Sequence, residues 1–481
     1  MVVGSLLGIR SIQLCSVPGV KPEALLLYMV ARAPDDEAIG TGGFLMSKRT
    51  FTNWAGNQRC LPQAISAVRT TGDVARIVQD ACARGSRVKA VGAGHSFTAA
   101  AMTDGVLVRL DGLDQLESID ADTGVVTVGA GMRLRDVNLA LDEHGRALPN
   151  LGDIDVQTIA GATATATHGT GVMLGNLATG IVGFELVTGT GEVLWCDATT
   201  NTDVWSAGRV SVGAFGIITK VALETLPAFN LCAVEGPERL DDLLRDWMSF
   251  TASARHAEFF WLPGTNKCFV KRNDISTDVA RAHSKRQHFV NKILFENVAF
   301  DAAMRVNRRF PNTRDRIGGL LAGSVGSGTR VDKSFRVFAS PRHVRFMEME
   351  YGLPIEAVPE ALERVRKLIG SMNAPPLFPV EVRVSAADDI PLSTASGRDS
   401  GWIAVHQYKG MAYGDYFRGV EAIMDDYEGR PHWGKFHYQT ADTLRNRYPR
   451  WDEFQSVRAV VDPTGTFRNE YLDRVLGPIG N

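Results

Sequence analysis

Two glycines and a histidine carry the clearest chemistry in this chain. Val91, Gly92, Ala93, Gly94, His95, Ser96 and Phe97 follow a strand-like run from Arg87 to Val91. Gly92 and Gly94 can take positive φ, so successive N–H groups can turn toward one anion, and a pyrophosphate fits such a nest. His95 adds a nucleophilic imidazole that can bond to an electrophilic cofactor. A Rossmann fingerprint needs a third glycine at 97, where this chain has Phe97, and that reading loses its simplest support. Taken alone, the segment also fits a surface turn that happens to carry a histidine.

Three further stretches hold candidate chemistry. Thr158 to Gly171 includes Gly161, Ala162, Thr165, Thr167, His168 and Gly169. It is too rich in small and β-branched residues for a helix and too polar for a buried strand. It reads as a loop packed on a ligand whose acceptors its hydroxyls and amides satisfy, or as a low-complexity surface loop. In Phe378 to Ser385 the apolar residues alternate, so Glu381, Arg383 and Ser385 project from one strand face with neighbours ~7 Å apart. Opposite charges side by side suit either a solvated strand face or a reactive couple. Pro431 to Tyr438 contains His432, Trp433, Gly434, Lys435 and His437. This is an aromatic core strand or, with His406, a metal cluster. The five-residue spacing of His432 and His437 puts them on opposite strand faces without an acidic or Cys partner at ligand spacing, so no metal is expected.

The elements that must position these groups follow from periodicity. Val74, Ile77, Val78 and Ala81 mark a helix from about Thr71 to Gly85, feeding the strand before His95. A strand at 125–129, a helix through Leu134, Val137 and Leu141, a hairpin from Val182 to Cys196 and a strand from Ile217 to Thr225 complete a first unit, closed at Pro227. Beyond it, strands are expected near 258–262, 268–271, 378–385 and 402–408. Helices are expected near 279–309, 355–371, 413–427 and 441–458. This grouping predicts an α+β second domain.

Composition excludes several classes. The 481 residues carry a formal charge of −2, which offers no electrostatic case for nucleic acid. Six cysteines without CxxC or metal spacing suit reduced thiols in a cytoplasmic protein. The apolar run Ala24 to Ala31 is far short of the ~20 residues of a spanning helix. Residues 1–45 lack periodicity and are expected to be a poorly ordered extension that adds nothing to catalysis, with Met46 a plausible start. Between 281 and 316, nine Lys/Arg stand against Glu296, Asp301 and Asp315, either as a solvated helix face or as a docking surface for an acidic electron acceptor or an anionic membrane.

The Val91–Phe97 loop, Thr167-His168-Gly169-Thr170-Gly171 and His432-Trp433-Gly434-Lys435, in this order, resemble the vanillyl-alcohol oxidase / p-cresol methylhydroxylase flavoproteins, and within them the aldonolactone oxidoreductases. The likeness spans about Asn53 to Leu476. It implies a two-subdomain FAD-binding domain of p-cresol methylhydroxylase type at 46–228 and an α+β cap with the substrate and catalytic groups at 229–481. It implies FAD held by Val91 to Phe97, Ala130, Thr158, Gly161, Ala162, Thr165, Thr167, His168, Gly169, Ile217 and Ile218, with a covalent bond through His95.

By the same resemblance, Glu381 orients or deprotonates a substrate hydroxyl, and Arg383 offsets developing negative charge. His432 hydrogen-bonds substrate or cofactor. Lys435, in a dry pocket beside Arg383, is expected to have its charged state disfavoured and to serve as a base. The expected reaction is oxidation of a sugar-derived lactone, L-gulono-1,4-lactone foremost, toward an ascorbate precursor. A polyol substrate of the alditol oxidase kind is the rival. The methyl of Ala130, near the family's oxygen-access position, favours a cytochrome-like acceptor over O₂. The expected location is the cytoplasm or the periphery of a membrane.

Overall fold

The computed structural model describes residues 50–281, 300–323, 326–339 and 344–479. The expected extension 1–45 lies outside these residues, as does the basic stretch between 282 and 299. The helix Thr71–Ala83 opens on a capping box. Thr70 accepts the Asp73 N–H and Asp73 accepts the Thr70 N–H, closing two orphan donors. Its inner face buries Val74, Ala75, Val78 and Ala81. The strand Val88–Val91 follows and pairs in parallel with Val106–Arg109, whose other edge carries Ala64–Ala67. Beside this three-stranded sheet lies a five-stranded antiparallel one, in the order Val193–Asp197, Ile181–Val187, Ile217–Leu223, Val126–Gly129 and Leu116–Ile119.

The second half is built on an eight-stranded sheet ordered Gly328–Lys333, Asn230–Arg239, Lys267–Ser276, His256–Trp261, Val380–Ser385, Ser400–Tyr408, Phe346–Pro354 and Arg430–Pro431. One face carries Val382, Val384, Met349, Tyr351, Ile403 and Val405 into a core shared with Val358 and Val365 of the helix Val358–Ser371 and Phe417 and Val420 of the helix Gly414–Asp425. Because side chains alternate along a strand, the other face gathers what that core rejects. Glu235 stands opposite Lys271, Lys271 opposite Glu258, and Arg383 opposite Trp402; in the next row Glu381 stands opposite Ala404. Glu348 and Glu350 occupy the same face of their strand, opposite His406 and Ala404. Charged residues buried on a sheet face call for counter-charges from something packed over it.

Several expectations are corrected. The stretch after Thr158 is helical over Ile159–Ala164, because Thr158 caps the Gly161 N–H and the Thr163 hydroxyl turns back onto the Ile159 and Ala160 carbonyls. The expected helix 441–458 is two helices, Ala441–Leu444 and Trp451–Val461, and Pro449 stands in the gap. Within 279–309 only Phe300–Arg309 is a described helix, where Arg305 pairs with Asp301 at 2.7 Å. After Pro431 the chain turns rather than continuing as a strand. The strands Asn230–Arg239, Gly328–Lys333 and Phe346–Pro354 were not expected.

The C-terminal segment returns to the first half. Phe454, Val457, Tyr471, Leu472 and Val475 join its core, and Phe454 stacks on Phe215 at 4.6 Å. Trp433, fully buried in that core, donates its Nε1–H to Leu392 O at 2.7 Å. The turn from His432 to Lys435 is thereby anchored at its centre.

Candidate active site

The three motifs meet around one cavity of about 1510 Å³. Phe97 N–H donates to Gly434 O at 2.8 Å, tying the first motif to the third. The rings of His168 and His432 lie 5.8 Å apart, bringing in the second. The second motif also laces onto the cap sheet. Thr170 Oγ1 donates to Ala257 O and accepts the Val384 N–H, and the His168 ring stacks on Trp402 at 3.7 Å.

The cradle fits a phosphate-bearing cofactor. Gly94 takes φ +68°, and a Cβ at Gly92 would sit 2.0 Å from Thr158 Oγ1, so both positions require glycine. The N–H groups of Gly92 to Ser96 find no protein acceptor among the described residues, leaving a run of donors for an anion. His95 stacks on Trp54 at 5.2 Å. Burial, reinforced by the charges of Arg133 and Lys435, pushes its imidazole down to about 4. It is therefore a neutral nucleophile near neutral pH. Val212, a β-branched residue at φ +52°, lines the same wall, the kind of backbone strain that ligand-clamping segments hold.

Val91 to Phe97, Thr158, Gly161, Thr165, Thr167, His168, Ile217 and Ile218 all line the cavity. Ala130, Ala162 and Gly169 do not. Ala130 is fully buried and bonded through its backbone to Thr219 and Ala160, and a Cβ at Gly169 would strike Asn150 Oδ1 at 2.2 Å. Those positions pack the loops that carry the others, and the Ala130 methyl forms no wall of the cavity.

Across the cavity the cap sheet supplies charge. Arg383 pairs through Nη2 with Glu381 and through Nε with Glu258 at 2.7 Å, with Asp153 3.7 Å from Nη2. Glu381 is pushed up to about 7, because burial and the neighbouring Asp153 and Glu258 outweigh Arg383. Lys435 Nζ lies 2.5 Å from Glu348 Oε1 and 5.6 Å from the Phe97 ring centroid. The expectation that its charge would be disfavoured is reversed. Burial does disfavour the ammonium, but Glu348 and Glu350 outweigh it and raise its pKa. The glutamates thus favour the charged form of Lys435.

Glu350 Oε1 lies 3.2 Å from His168 Nε2, while His168 Nδ1 lies 2.8 Å from Gly169 O. Both ring nitrogens of His168 thus face oxygen atoms, which fixes the orientation of the ring. His432 completes a buried trio with ligand atoms within 4.8 Å of one another, a different set from the His406, His432 and His437 weighed from the sequence. His432 Nδ1 accepts the Gly434 N–H at 2.9 Å, which places the proton of the neutral ring on Nε2 and leaves no lone pair for a metal. Burial outweighs the attraction of Glu350 and pushes this imidazole down to about 3. His437 is engaged elsewhere, with Tyr471 at 3.0 Å.

Sequence reasoning missed Glu348, Glu350, Asp153, Glu258 and Lys271 as parts of this site. For the first two a signal existed: Met347-Glu348-Met349-Glu350-Tyr351 has the same apolar alternation as the strand of Glu381.

Residues 62–197 match an FAD-binding domain and residues 221–475 a lactone oxidase family, which together make the protein an FAD-dependent oxidoreductase. The chain belongs to the D-arabinono-1,4-lactone oxidase family, whose model matches residues 221–475. It is 46% identical to an L-gulono-1,4-lactone dehydrogenase of Mycobacterium tuberculosis, over 89% of this chain and 99% of that one. It is 33% identical to an L-gulonolactone oxidase of Scyliorhinus torazame, over 89% and 98%, and 30% identical to an alditol oxidase of Streptomyces sp., over 88% and 98%. In fold it resembles cholesterol oxidase from B. sterolicum, with a TM-score of 0.75 covering 89% of this chain and 96% of that one at 17% identity. Among the described residues no helix is long and apolar enough to cross a membrane.

Proposed function

We propose that the protein oxidises a carbinol carbon of an aldonolactone, with L-gulono-1,4-lactone the first substrate to try. The observation that carries this reading is the buried Glu381–Arg383 couple sharing one cavity with the amide cradle and His95. FAD, when bound, supplies the ring that takes up hydride and passes the electrons on. The residues that would hold it are Gly92 to Ser96 for the phosphates, with His95 as the point of covalent attachment.

Glu381 then takes the substrate's hydroxyl proton, since a carboxylate poised near neutrality is matched to that task. Arg383 and Lys435 hold positive charge on the cavity wall where negative charge develops, and enclosure strengthens both. His432, its proton on Nε2, donates to a substrate oxygen. The lactone relatives at 46% and 33% identity, against 30% for the alditol oxidase, support the lactone over a polyol. The name dehydrogenase borne by the 46% relative supports a cytochrome-like or quinone-like acceptor, a role for which Ala130 gives no argument. Five free cysteines among the described residues support a cytoplasmic location.

Anaerobic mixing with L-gulono-1,4-lactone should bleach the flavin, and cytochrome c should restore the colour faster than air. Faster bleaching by xylitol would reject the lactone reading. Acid precipitation should leave the yellow colour in the pellet and release it in His95→Ala; a colourless wild-type pellet would refute the bond.

A further inference from the structure

Glu258 sits behind the wall of the cavity. It is buried, does not line the cavity, and engages two cations, Arg383 Nε at 2.7 Å and Lys271 Nζ at 3.2 Å. The other arm of Arg383, Nη2, serves Glu381 and lies 3.7 Å from Asp153. Arg383 and Lys271 thus face Glu258 and Glu381 in one patch, with Asp153 at its edge between Arg383 and Lys435. A buried carboxylate short of counter-charge takes up a proton most readily. Geometry decides which one is short: Glu258 has both cations, whereas Glu381 has a share of one.

We propose that Glu258 is a positioning residue for the oxidation: by occupying Nε of Arg383 and the Lys271 ammonium, it leaves Glu381 as the carboxylate of the patch that accepts the substrate's proton. The transfer breaks the substrate O–H bond and forms an O–H bond on Glu381; no bond changes at Glu258. The groups facing Glu381 are Arg383 on its own strand, Asp153 from the flavin-side loop, Glu258 from one neighbouring strand and His406 from the other. Those facing Glu258 are Arg383, Lys271 and Asp153. The register makes the arrangement possible, because Lys271 and Glu258 are cross-strand partners and the Phe259–Val382 pairing brings Arg383 alongside Glu258.

The proposal rests on Glu381 being the base, and the test separates the two. In the holoenzyme, two quantities are followed against pH: the anaerobic rate of flavin bleaching by L-gulono-1,4-lactone, and the infrared band of the protonated carboxyl without substrate. Glu258→Gln removes a negative neighbour and gives Glu381 a larger share of Arg383. It should move both midpoints down by about one pH unit, a tenfold change in proton affinity. Lys271→Met removes a cation and should move them up, and Glu258→Asp, which keeps the negative charge, should return both midpoints most of the way to the wild-type values. A Glu258→Gln enzyme that is slower at every pH with an unmoved midpoint would overturn the proposal and leave a packing role. Should that variant fail to fold, an unmoved midpoint in Lys271→Met overturns it equally. If the acid limb persists in Glu381→Gln, the base reading itself fails. If it vanishes there while Glu258→Gln leaves the wild-type midpoint unchanged, this inference alone fails.

Discussion

Glutamine at position 381 is expected to slow substrate oxidation by about 10²- to 10⁴-fold, the usual worth of a positioned proton acceptor. The same change should make the protein more stable above pH 7. The Glu381 carboxyl is raised from 4.5 to about 7 on folding, because it is buried and flanked by Asp153 and Glu258. A group whose folded pKa is raised favours the native state below its unfolded value, and that contribution is lost as pH rises through the folded one. The native carboxylate is therefore a burden at pH 8 that glutamine does not carry, a gain on the order of 1–3 kcal/mol. Thermal unfolding at about pH 5 and about pH 8 checks it: the gain should appear at the higher value and fade at the lower. Equal stability at both, with a large loss of rate, would mean that the carboxyl is not perturbed as described.

Replacing Arg383 by methionine should be the most damaging single change in the cap. Glu258, Glu381 and Asp153 would lose the cation they share, and breaking a buried ion pair from one side costs about 3–5 kcal/mol. The sign with pH is opposite to that of Glu381. Burial alone would raise Glu258, but Arg383 and Lys271 hold it down to about 2. Its contribution is present above the ordinary carboxylate range and is lost as pH falls through the folded value. The deficit of Arg383→Met should accordingly be largest near neutrality and shrink toward about pH 4, as the stranded carboxylates take up protons. Arg383→Lys should recover part of the stability and little of the rate, because a point charge cannot serve Glu258 and Glu381 at once as the guanidinium fork does. Denaturant unfolding of the three proteins across that range measures both effects. A pH-independent deficit would contradict the electrostatic origin.

The legible and illegible parts of the site divide along physical lines. The His95 loop could be read because glycine spacing before a nucleophile is a local signal, and so could the period-two pattern around Glu381 and Arg383. Period alone does not tell which face of a strand meets solvent, however. An alternating charged face looks the same whether water or another domain covers it. Glu348, Glu350 and Glu258 were passed over for that reason: the domain that covers them is brought there by long-range packing of Trp402 on His168 and of Trp433 in the opposite core. The reversal at Lys435 has the same origin. Burial was foreseeable from its motif, but the two glutamates that outweigh it stand on a strand more than eighty residues earlier in the chain. The helix Ile159–Ala164 escaped notice because Ala and Thr propensities were read without the cap at Thr158, and the C-terminal return because its helices carry no mark of which core they join.

On this reading Glu381, a buried carboxylate of the eight-stranded sheet, deprotonates a lactone held against the cradle at His95, where FAD would supply the hydride acceptor. The most direct test is the anaerobic rate of flavin bleaching by L-gulono-1,4-lactone as a function of pH. The wild-type rate should climb through one midpoint near the value of about 7 set by the environment of Glu381, and the limb should be missing from Glu381→Gln. Protein that does not bleach, or that bleaches at a rate indifferent to pH across that midpoint, would contradict the account.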